Sequence, residues 1–257
     1  MISVTWLWLY LIAAFVIPIT FIVIWKKKTN TRMVPFWWGM IVFFVFAMVL
    51  EQISHYVFLV MPWAGSNFIL SHNAAYVVYG CLAAGVFEET GRFFAFSLPL
   101  KKYNKKEEAV TYGLGHGACE AMLLVGGSAI TLLTYCYNPA LDTVSALSTI
   151  TAGTIILGLV ERVLAIIIHV SLSVIVFTGV KMNKKYLYPV AILLHALVDV
   201  SACLYQLGII KELYVLEIIL AVSLFVLAFI AYKVYRTLPA VAGDVGGDAA
   251  SGAETSK

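Results

Sequence analysis

Charged residues are scarce in this sequence, and their scarcity decides its class. Only 12% of the 257 residues are charged and 62% are hydrophobic, whereas a soluble domain has roughly a quarter charged and about half apolar residues. This is the composition of a membrane protein. Most lysines stand in short clusters between apolar runs, so the net charge of +3 indicates helix orientation and no nucleic-acid partner.

Several motifs that would assign a function at once are missing. The four cysteines have no C-x-x-C spacing, which argues against a disulfide framework or a thiolate metal site. The sequence contains neither H-E-x-x-H nor the G-x-S-x-G elbow of serine hydrolases, so serine catalysis is not indicated. No positive residue precedes the first apolar run and a Lys26, Lys27, Lys28 block follows it, the reverse of a cleavable signal peptide.

The apolar runs predict an all-α fold, a polytopic membrane helical bundle of about seven transmembrane helices. A spanning helix needs about 20 mainly apolar residues. The polar interruptions separate seven such segments, 5–25, 34–60, 74–100, 109–135, 150–180, 186–208 and 212–235. The fifth is longer than one perpendicular helix requires, so we expect it to tilt, to kink near Gly158, or to include a short helix outside the bilayer.

The lysines and arginines predict how the bundle is oriented. They fill the first, third and fifth loops and follow the last span, and they are nearly absent from the other loops. By the positive-inside rule, the N-terminus is outside and the C-terminus is cytoplasmic in a multi-pass protein of the cell membrane. The transmembrane domain covers residues 1–236. Residues 237–257 are rich in Gly, Ala and Asp and are expected to form a disordered cytoplasmic tail.

Ionisable side chains inside spans are costly and are therefore functional candidates. The spans contain Glu51, His55, Glu88, Glu89, Arg92, His116, Glu120, Glu161, Arg162, His169, His195 and Asp199. Counted from the cytoplasmic ends at about 1.5 Å per residue, six of them lie roughly 12 to 21 Å deep, namely Glu88, His116, Glu120, His169, His195 and Asp199. They are thus expected in one slab on the cytoplasmic side of the midplane, with Glu51, His55 and Glu161 peripheral to it.

Helical spacing predicts which of these side chains share a face. Glu88 with Arg92, His116 with Glu120, and His195 with Asp199 are pairs four residues apart, and Arg162 and His169 are seven apart. Single buried acids or histidines are often only satisfied packing residues, and Glu161 next to Arg162 fits that interpretation. The convergence of acids and histidines from four helices at similar depth favours a functional cluster.

The cluster has the groups that hydrolysis needs. A carboxylate and an imidazole in a low-dielectric site can hold and deprotonate a water, and a second imidazole can stabilise the oxyanion of a tetrahedral intermediate. Three histidines with a carboxylate also satisfy the ligand chemistry of zinc. The sequence therefore leaves two options open, a site with no cofactor and a zinc site in which His116, His169 and His195 are the candidate ligands.

Three ordered motifs resemble a known family. E-E-T-G-R (Glu88 to Arg92), Y-G-L-G-H-G (Tyr112 to Gly117) and H-A-L-V-D (His195 to Asp199) look like those of the YhfC-type membrane peptidases. That group is similar to the superfamily of CAAX proteases, bacteriocin-processing proteases and PrsW-like proteases.

The resemblance implies roles for the motif residues. A Glu of the first motif, Glu88 or Glu89, and His116 would hold the attacking water, and His195 and Asp199 would form the oxyanion site. Arg92, Glu120, Arg162 and His169 would support them. Two departures bear on these roles: the first motif is one residue shorter than in CAAX proteases, and Asp199 stands where Asn is common.

The sequence as a whole predicts an intramembrane endopeptidase. Its substrate would be a membrane protein or a lipid-linked peptide, and its cavity would open toward the cytoplasmic half of the bilayer. The alternative is a proton- or cation-coupled transporter that uses the same Glu and His residues, and a non-catalytic scaffold is the third. The sequence leaves the oligomeric state open.

Overall fold

A computed structural model describes residues 3–141 and 146–238, and within these ranges the chain is helical with no β-strand. The eight longer helices in these ranges are α1 Val4–Thr29, α2 Val34–Val60, α3 Ala64–Ser71, α4 Asn73–Ser97, α5 Lys106–Tyr137, α6 Ala152–Lys181, α7 Leu187–Gln206 and α8 Leu213–Tyr235. Short helical turns at Pro139–Leu141 and Ala146–Thr149 connect α5 to α6. The predicted tail lies outside the described residues, apart from 237 and 238.

The prediction of about seven spans is confirmed. Six of these helices, α1, α2, α5, α6, α7 and α8, are each long and apolar enough to cross a membrane. The count is seven if the bent pair, in which the eight-residue α3 meets α4 at 106°, is taken as one span. The long fifth segment is one continuous α-helix of 30 residues. The direction in which the bundle crosses the bilayer stays a prediction from the charge pattern.

α6 is the central helix of the bundle. It packs against α1, α4, α5, α7 and α8, and side chains such as Leu172, Ile175 and Phe177 are fully buried. α1 and α8, in contrast, expose many large apolar side chains, for example Phe225 at 77%. An apolar outer surface around a packed interior is what a lipid environment requires, because lipid chains solvate apolar side chains and cannot solvate polar ones.

Glycines on α5 explain how closely the helices around it approach. A Cβ atom on Gly115 would collide with the backbone oxygen of Phe36 on α2, and one on Gly113 would collide with the backbone of α6 at Val170. Small residues at such contacts let helix backbones approach each other in membranes. The Y-G-L-G-H-G motif therefore places His116 between α2 and α6 at a distance that larger residues would prevent.

Three segments of the described residues are wound as π-helix, Tyr56–Val60 at the end of α2 and two others that lie beside carboxylates. Phe46–Glu51 in α2 ends on Glu51, and Ala121–Val125 in α5 begins directly after Glu120. A π-turn inserts an extra residue into the helical repeat and re-aims the side chains beside it, and such turns are frequent at functional sites. Both turns adjoin an intramembrane carboxylate.

The close contact at Gly115 predicts a specific loss of stability. We expect Gly115→Ala to lower the unfolding free energy by about 1–3 kcal/mol, because the added methyl group overlaps a backbone that cannot move away freely. Gly127→Ala on the same helix is the matched control, since nothing lies within 4 Å of its added Cβ. It should be neutral or stabilising by up to about 1 kcal/mol. Thermal unfolding in detergent measures both, and equal melting temperatures would contradict the packing role of Gly115.

Candidate active site

Four helices each direct two ionisable side chains toward one point in the interior. The pairs are Glu88 and Arg92 on α4, His116 and Glu120 on α5, Arg162 and His169 on α6, and His195 and Asp199 on α7. Each pair is spaced so that both members lie on one helix face. The structure therefore brings these residues together, as the helical spacing predicted.

The Glu88 carboxylate is at the centre of the cluster. Its Oε2 atom accepts a 2.8 Å hydrogen bond from His116 Nε2. The same oxygen lies 3.7 Å from Nδ1 of His169 and 3.9 Å from Nε2 of His195. One carboxylate oxygen is thus within 4 Å of three imidazoles that come from three different helices.

Glu89 has different surroundings although it is the next residue. It is fully buried, and its Oε1 atom is bound by Arg92 and by Nδ1 of His195, the latter at 2.6 Å. Glu88 is 10% exposed at its side chain, whereas the Glu89 side chain is not exposed at all. Glu89 therefore orients Arg92 and His195, and Glu88 is the member of the pair that can meet a substrate or a water.

A second chain of polar contacts orients His169. Its Nδ1 atom accepts a hydrogen bond of 2.6 Å from Arg92, because an arginine can only donate. Nε2 therefore carries the hydrogen and donates a hydrogen bond of 2.5 Å to Glu120. Arg162 donates to the other Glu120 oxygen at 2.8 Å and to Glu161 at 2.5 Å.

The position of Glu161 corrects one expectation. Its depth, counted along the helix, predicted that Glu161 is peripheral to the cluster. Its side chain nevertheless reaches the Arg162 guanidinium, because both side chains are long and can bend toward each other. Glu161 joins the cluster through Arg162 and lines the same cavity as Glu88.

A cavity of about 180 Å³, here named the central cavity, opens next to these groups. Its polar lining consists of Glu88, Glu120, Glu161, Arg162, His169, His195, Asp199 and Ser201. Its apolar lining includes Ile168, Val198, Leu216 and Leu220 from α6, α7 and α8. On α7, the Asp199 side chain is 31% exposed and that of His195 only 4%, and Asp199 Oδ2 lies 3.4 Å from His195 Nε2. The cavity is large enough for several waters.

Three residues of the cluster fit a metal ion. One ligand atom from each of Glu88, His116 and His169 lies within 4.8 Å of the other two. Ligands held about 2.0 Å from a tetrahedral zinc ion lie about 3.3 Å apart, and the distances of 2.8 and 3.7 Å from Glu88 to the two imidazoles lie on either side of that value. One carboxylate with two histidines is also the donor set of a class of catalytic zinc sites.

The surroundings of these three residues support a cation. The five carboxylates of the cluster, Glu88, Glu89, Glu120, Glu161 and Asp199, outnumber its two guanidinium groups, those of Arg92 and Arg162. The excess negative charge lies in a buried region, where a bound cation or protonated imidazoles would balance it. Glu120 binds the far nitrogen of His169, as carboxylates behind metal-bound histidines do. A cation bound at His169 Nδ1 would have to displace Arg92 from that nitrogen, while Glu89 continues to hold the guanidinium.

The structure brings together a set of possible metal ligands that differs from the predicted set by one residue. His116, His169 and His195 were the candidates, and the structure groups Glu88 with His116 and His169. His195 is in the cluster, but its Nδ1 is bound to Glu89 and its Nε2 is 3.9 Å from Glu88. A sequence cannot distinguish these sets, because the direction of each imidazole depends on its hydrogen-bond partners.

Glu51 and His55 form a separate pair, 3.3 Å apart, as their position near the far end of α2 suggested. Tyr79 donates to or accepts from Nδ1 of His55 at 3.0 Å, and it was missed because an aromatic residue in an apolar span looks like packing. Its only signal was a hydroxyl group inside a predicted span.

The buried ion pair between Arg92 and Glu89 predicts a large effect on stability. We expect Arg92→Leu to lower the unfolding free energy by about 3–5 kcal/mol, because it leaves a buried carboxylate without a counter-charge. Adding Glu89→Gln should restore part of that loss. Arg236→Leu, at an exposed position, is the control and should change stability by less than about 0.5 kcal/mol. Thermal unfolding of the three variants decides the matter, and a double variant as unstable as Arg92→Leu alone would contradict the pairing.

Comparisons with known proteins show which family this chain resembles. Residues 13–220 match the model of a family described as YhfC intramembrane metalloprotease. A protein of Bacillus subtilis (strain 168), titled "Uncharacterized membrane protein YhfC", is 35% identical over 225 residues, which is 81% of this chain and 87% of that protein. No solved structure matches. The wider similarity to CAAX proteases stays a prediction.

The family description supports an intramembrane protease and does not favour the transporter alternative. The fold is compatible with that activity, because the multi-pass helical bundle holds ionisable groups in its interior. With a family match over most of its length and a relative at 35% identity, the chain belongs to the YhfC family.

Proposed function

We propose that this protein is a metal-assisted intramembrane endopeptidase whose zinc ion is held by Glu88, His116 and His169. The observation that carries the proposal is the convergence of these three side chains, from three different helices, within 4.8 Å. When bound, zinc would supply the Lewis acidity that makes water a nucleophile near neutral pH and polarises a carbonyl group. The family description, an intramembrane metalloprotease, supports the same class of activity.

Asp199 is the base in this proposal. It lines the central cavity and is the most exposed carboxylate next to His195, so it can reach a water that the more buried Glu89 cannot. It takes a proton from the attacking water while the water oxygen bonds to the carbonyl carbon of the scissile peptide. It then returns the proton to the leaving nitrogen as the carbon–nitrogen bond breaks, so that acid and amine are the two products.

His195 stabilises the negative oxygen of the tetrahedral intermediate. Its Nδ1–H is held by Glu89 at 2.6 Å, which fixes the ring and leaves Nε2 directed toward Asp199 and Glu88. With Nδ1–H engaged by Glu89, Nε2 can donate to the oxyanion only when the ring is an imidazolium, so in this proposal His195 is protonated on both nitrogens. A donor fixed in advance at this place stabilises developing charge without reorganisation. Glu89 and Arg92 are positioning residues, since neither lines the cavity.

The proposed substrate is a membrane protein or a lipid-linked peptide with an apolar segment near the scissile bond. Ile168, Leu216 and Leu220 form an apolar wall of the cavity between α6 and α8, and an apolar chain entering from the bilayer would contact them. Glu88, His169, His195 and Asp199 line the same cavity, so cleavage would occur at membrane depth.

Cleavage is tested by comparing the protein N-termini of cells that produce the wild-type protein or a variant. We expect new N-termini within or next to transmembrane segments with the wild type, and none with Glu88→Gln, His116→Ala or His169→Ala. Asp199→Asn should lower cleavage of the identified substrate by about 10²–10⁴-fold, as loss of a general base does. His72→Ala and Glu212→Gln, both at exposed positions outside the site, should cleave as the wild type does. Identical N-termini in all samples would contradict the proposal.

The metal is tested by elemental analysis of the purified protein. We expect about one zinc ion per chain in the wild type, as a three-ligand catalytic site holds, and a strong loss in His116→Ala and His169→Ala. His195→Ala should keep the metal and lose activity, because His195 is not among the proposed ligands. Full cleavage by protein that contains no metal would overturn the zinc assignment and favour the metal-free mechanism, in which Glu88 and His116 activate the water.

A further inference from the structure

A second cavity lies on the other side of α7. It has a volume of about 360 Å³ and is bounded by α2, α4 and α7. We name it the vestibule and define it by its lining residues, which are Glu51, His55, Leu59, Tyr76, Tyr79, Gly80, Ala84, Asp199, Ala202, Cys203 and Gln206. The catalytic roles proposed above use only one of them, Asp199.

The vestibule lies at one end of the bundle. Leu59 is next to the end of α2, Tyr76 is in the first turn of α4, and Gln206 is the last residue of α7. The lysine-rich connections, 26–33, 98–106 and 181–185, are at the opposite ends of these helices. The vestibule therefore begins at the end of the bundle that carries the lysine-poor connections and runs inward to Asp199.

Polar groups continue along the length of the vestibule. Glu51 pairs with His55 at 3.3 Å, and His55 Nδ1 and the Tyr79 hydroxyl are 3.0 Å apart. At the outer end, the Tyr76 hydroxyl donates to Gln206 at 3.4 Å. Ionisable groups inside a membrane usually face the bundle interior or a water-filled cavity, and all of these groups line the vestibule. Their chemistry is that of a hydrated passage.

Asp199 and Ala202 line both cavities. They are three residues apart on α7, so they lie on one face of the helix. Val198 and Ser201 line only the central cavity, and Cys203 and Gln206 line only the vestibule. α7 therefore separates two spaces that meet at the carboxylate of Asp199.

We propose that the vestibule is the route by which water reaches Asp199 and the central cavity. The inference rests on the proposed function, because a hydrolase consumes one water for each bond it cleaves and its reacting bond is inside the bilayer. The polypeptide substrate enters from the other side of α7, along the apolar side chains of α6 and α8. Substrate and water thus approach the same carboxylate from opposite sides.

The lining of the vestibule favours water over the substrate as its occupant. Six of its eleven lining residues, Glu51, His55, Tyr76, Tyr79, Asp199 and Gln206, carry polar side-chain groups that can bond to water. An apolar peptide segment would take these groups out of water and offer no hydrogen bonds to their remaining donors and acceptors, at a cost in free energy. The apolar side chains of the central cavity, Leu216 and Leu220 among them, are the better match for such a segment.

Cysteine labelling in lipid nanodiscs tests hydration directly. In a background in which Cys81, Cys119, Cys136 and Cys203 are replaced by Ala, single cysteines are introduced by Tyr76→Cys, Ala84→Cys and Gln206→Cys. A charged, water-soluble methanethiosulfonate reacts only with a thiolate in water. We expect these three sites to react at least about tenfold faster than Val78→Cys, a control on the outer surface of α4 that is 58% exposed. Rates no faster than the control would overturn the proposal.

Modification after folding tests whether the water route is used. Attaching the reagent at Ala84→Cys narrows the vestibule in a protein that has already folded, so a folding defect cannot explain a loss of activity. We expect cleavage to fall by at least about fivefold and to return when a reductant removes the group, since the adduct is a reversible disulfide. Fast labelling with unchanged cleavage would overturn the proposed route. Protection of Tyr76→Cys and Gln206→Cys by bound substrate would also overturn it, by making the substrate the occupant.

The labelling separates this inference from the proposed function. It measures hydration with no cleavage assay, so slow labelling contradicts the vestibule whether or not the protein is a protease. If the unmodified protein cleaves nothing while the vestibule cysteines label fast, the proposed protease activity fails and the water route to a hydrolytic site fails with it.

Discussion

The hydrogen bond between His116 and Glu88 joins α5 to α4 in the middle of the bundle, and the other polar contacts are arranged around it. A carboxylate in such surroundings must be compensated, because the bilayer supplies neither water nor counter-ions. The compensation comes in layers. Three imidazoles surround Glu88, and each of the next acids, Glu89 and Glu120, holds one arginine and one histidine. Every helix that contributes to the site is thereby fixed relative to the others.

Backbone packing makes this arrangement possible. Gly113 and Gly115 let α6 and α2 approach α5 closely, and α6 and α2 also pack against α4, which carries Glu88. The same approach brings His169 beside His116, with ring centroids 4.7 Å apart. The glycines therefore serve the site without taking part in its chemistry. Small residues at helix contacts and polar residues as bridges are the two means by which membrane helices associate, and α5 uses both within a few residues.

The fold and the membership of the cluster were accessible from the sequence, and the connections within the cluster were not. Apolar run lengths give the spans because the bilayer fixes the length of a spanning helix, and spacing of four residues gives the shared faces. The bend between α3 and α4 was missed because a helix of eight residues is too short to show in a count of apolar residues. The division between Glu88 and Glu89 was also beyond the sequence, since it depends on which carboxylate Arg92 and His195 occupy. Glu161 was placed outside the cluster because depth was counted along the backbone, whereas its long side chain reaches Arg162 and the central cavity.

The two cavities share a carboxylate on α7, that of Asp199. Asp199 lines the central cavity with Glu88 and His169 and lines the vestibule with Glu51 and His55. A carboxylate there is suited to handle the protons of a water that arrives from one side and a peptide that arrives from the other. The central claim, however, concerns the centre that Glu88, His116 and His169 form. An experimental structure with anomalous diffraction data at the zinc absorption edge tests it most directly. We predict one peak about 2.0–2.2 Å from a Glu88 oxygen and from one nitrogen each of His116 and His169; an active protein without that peak, or with a peak on other residues, would contradict the account.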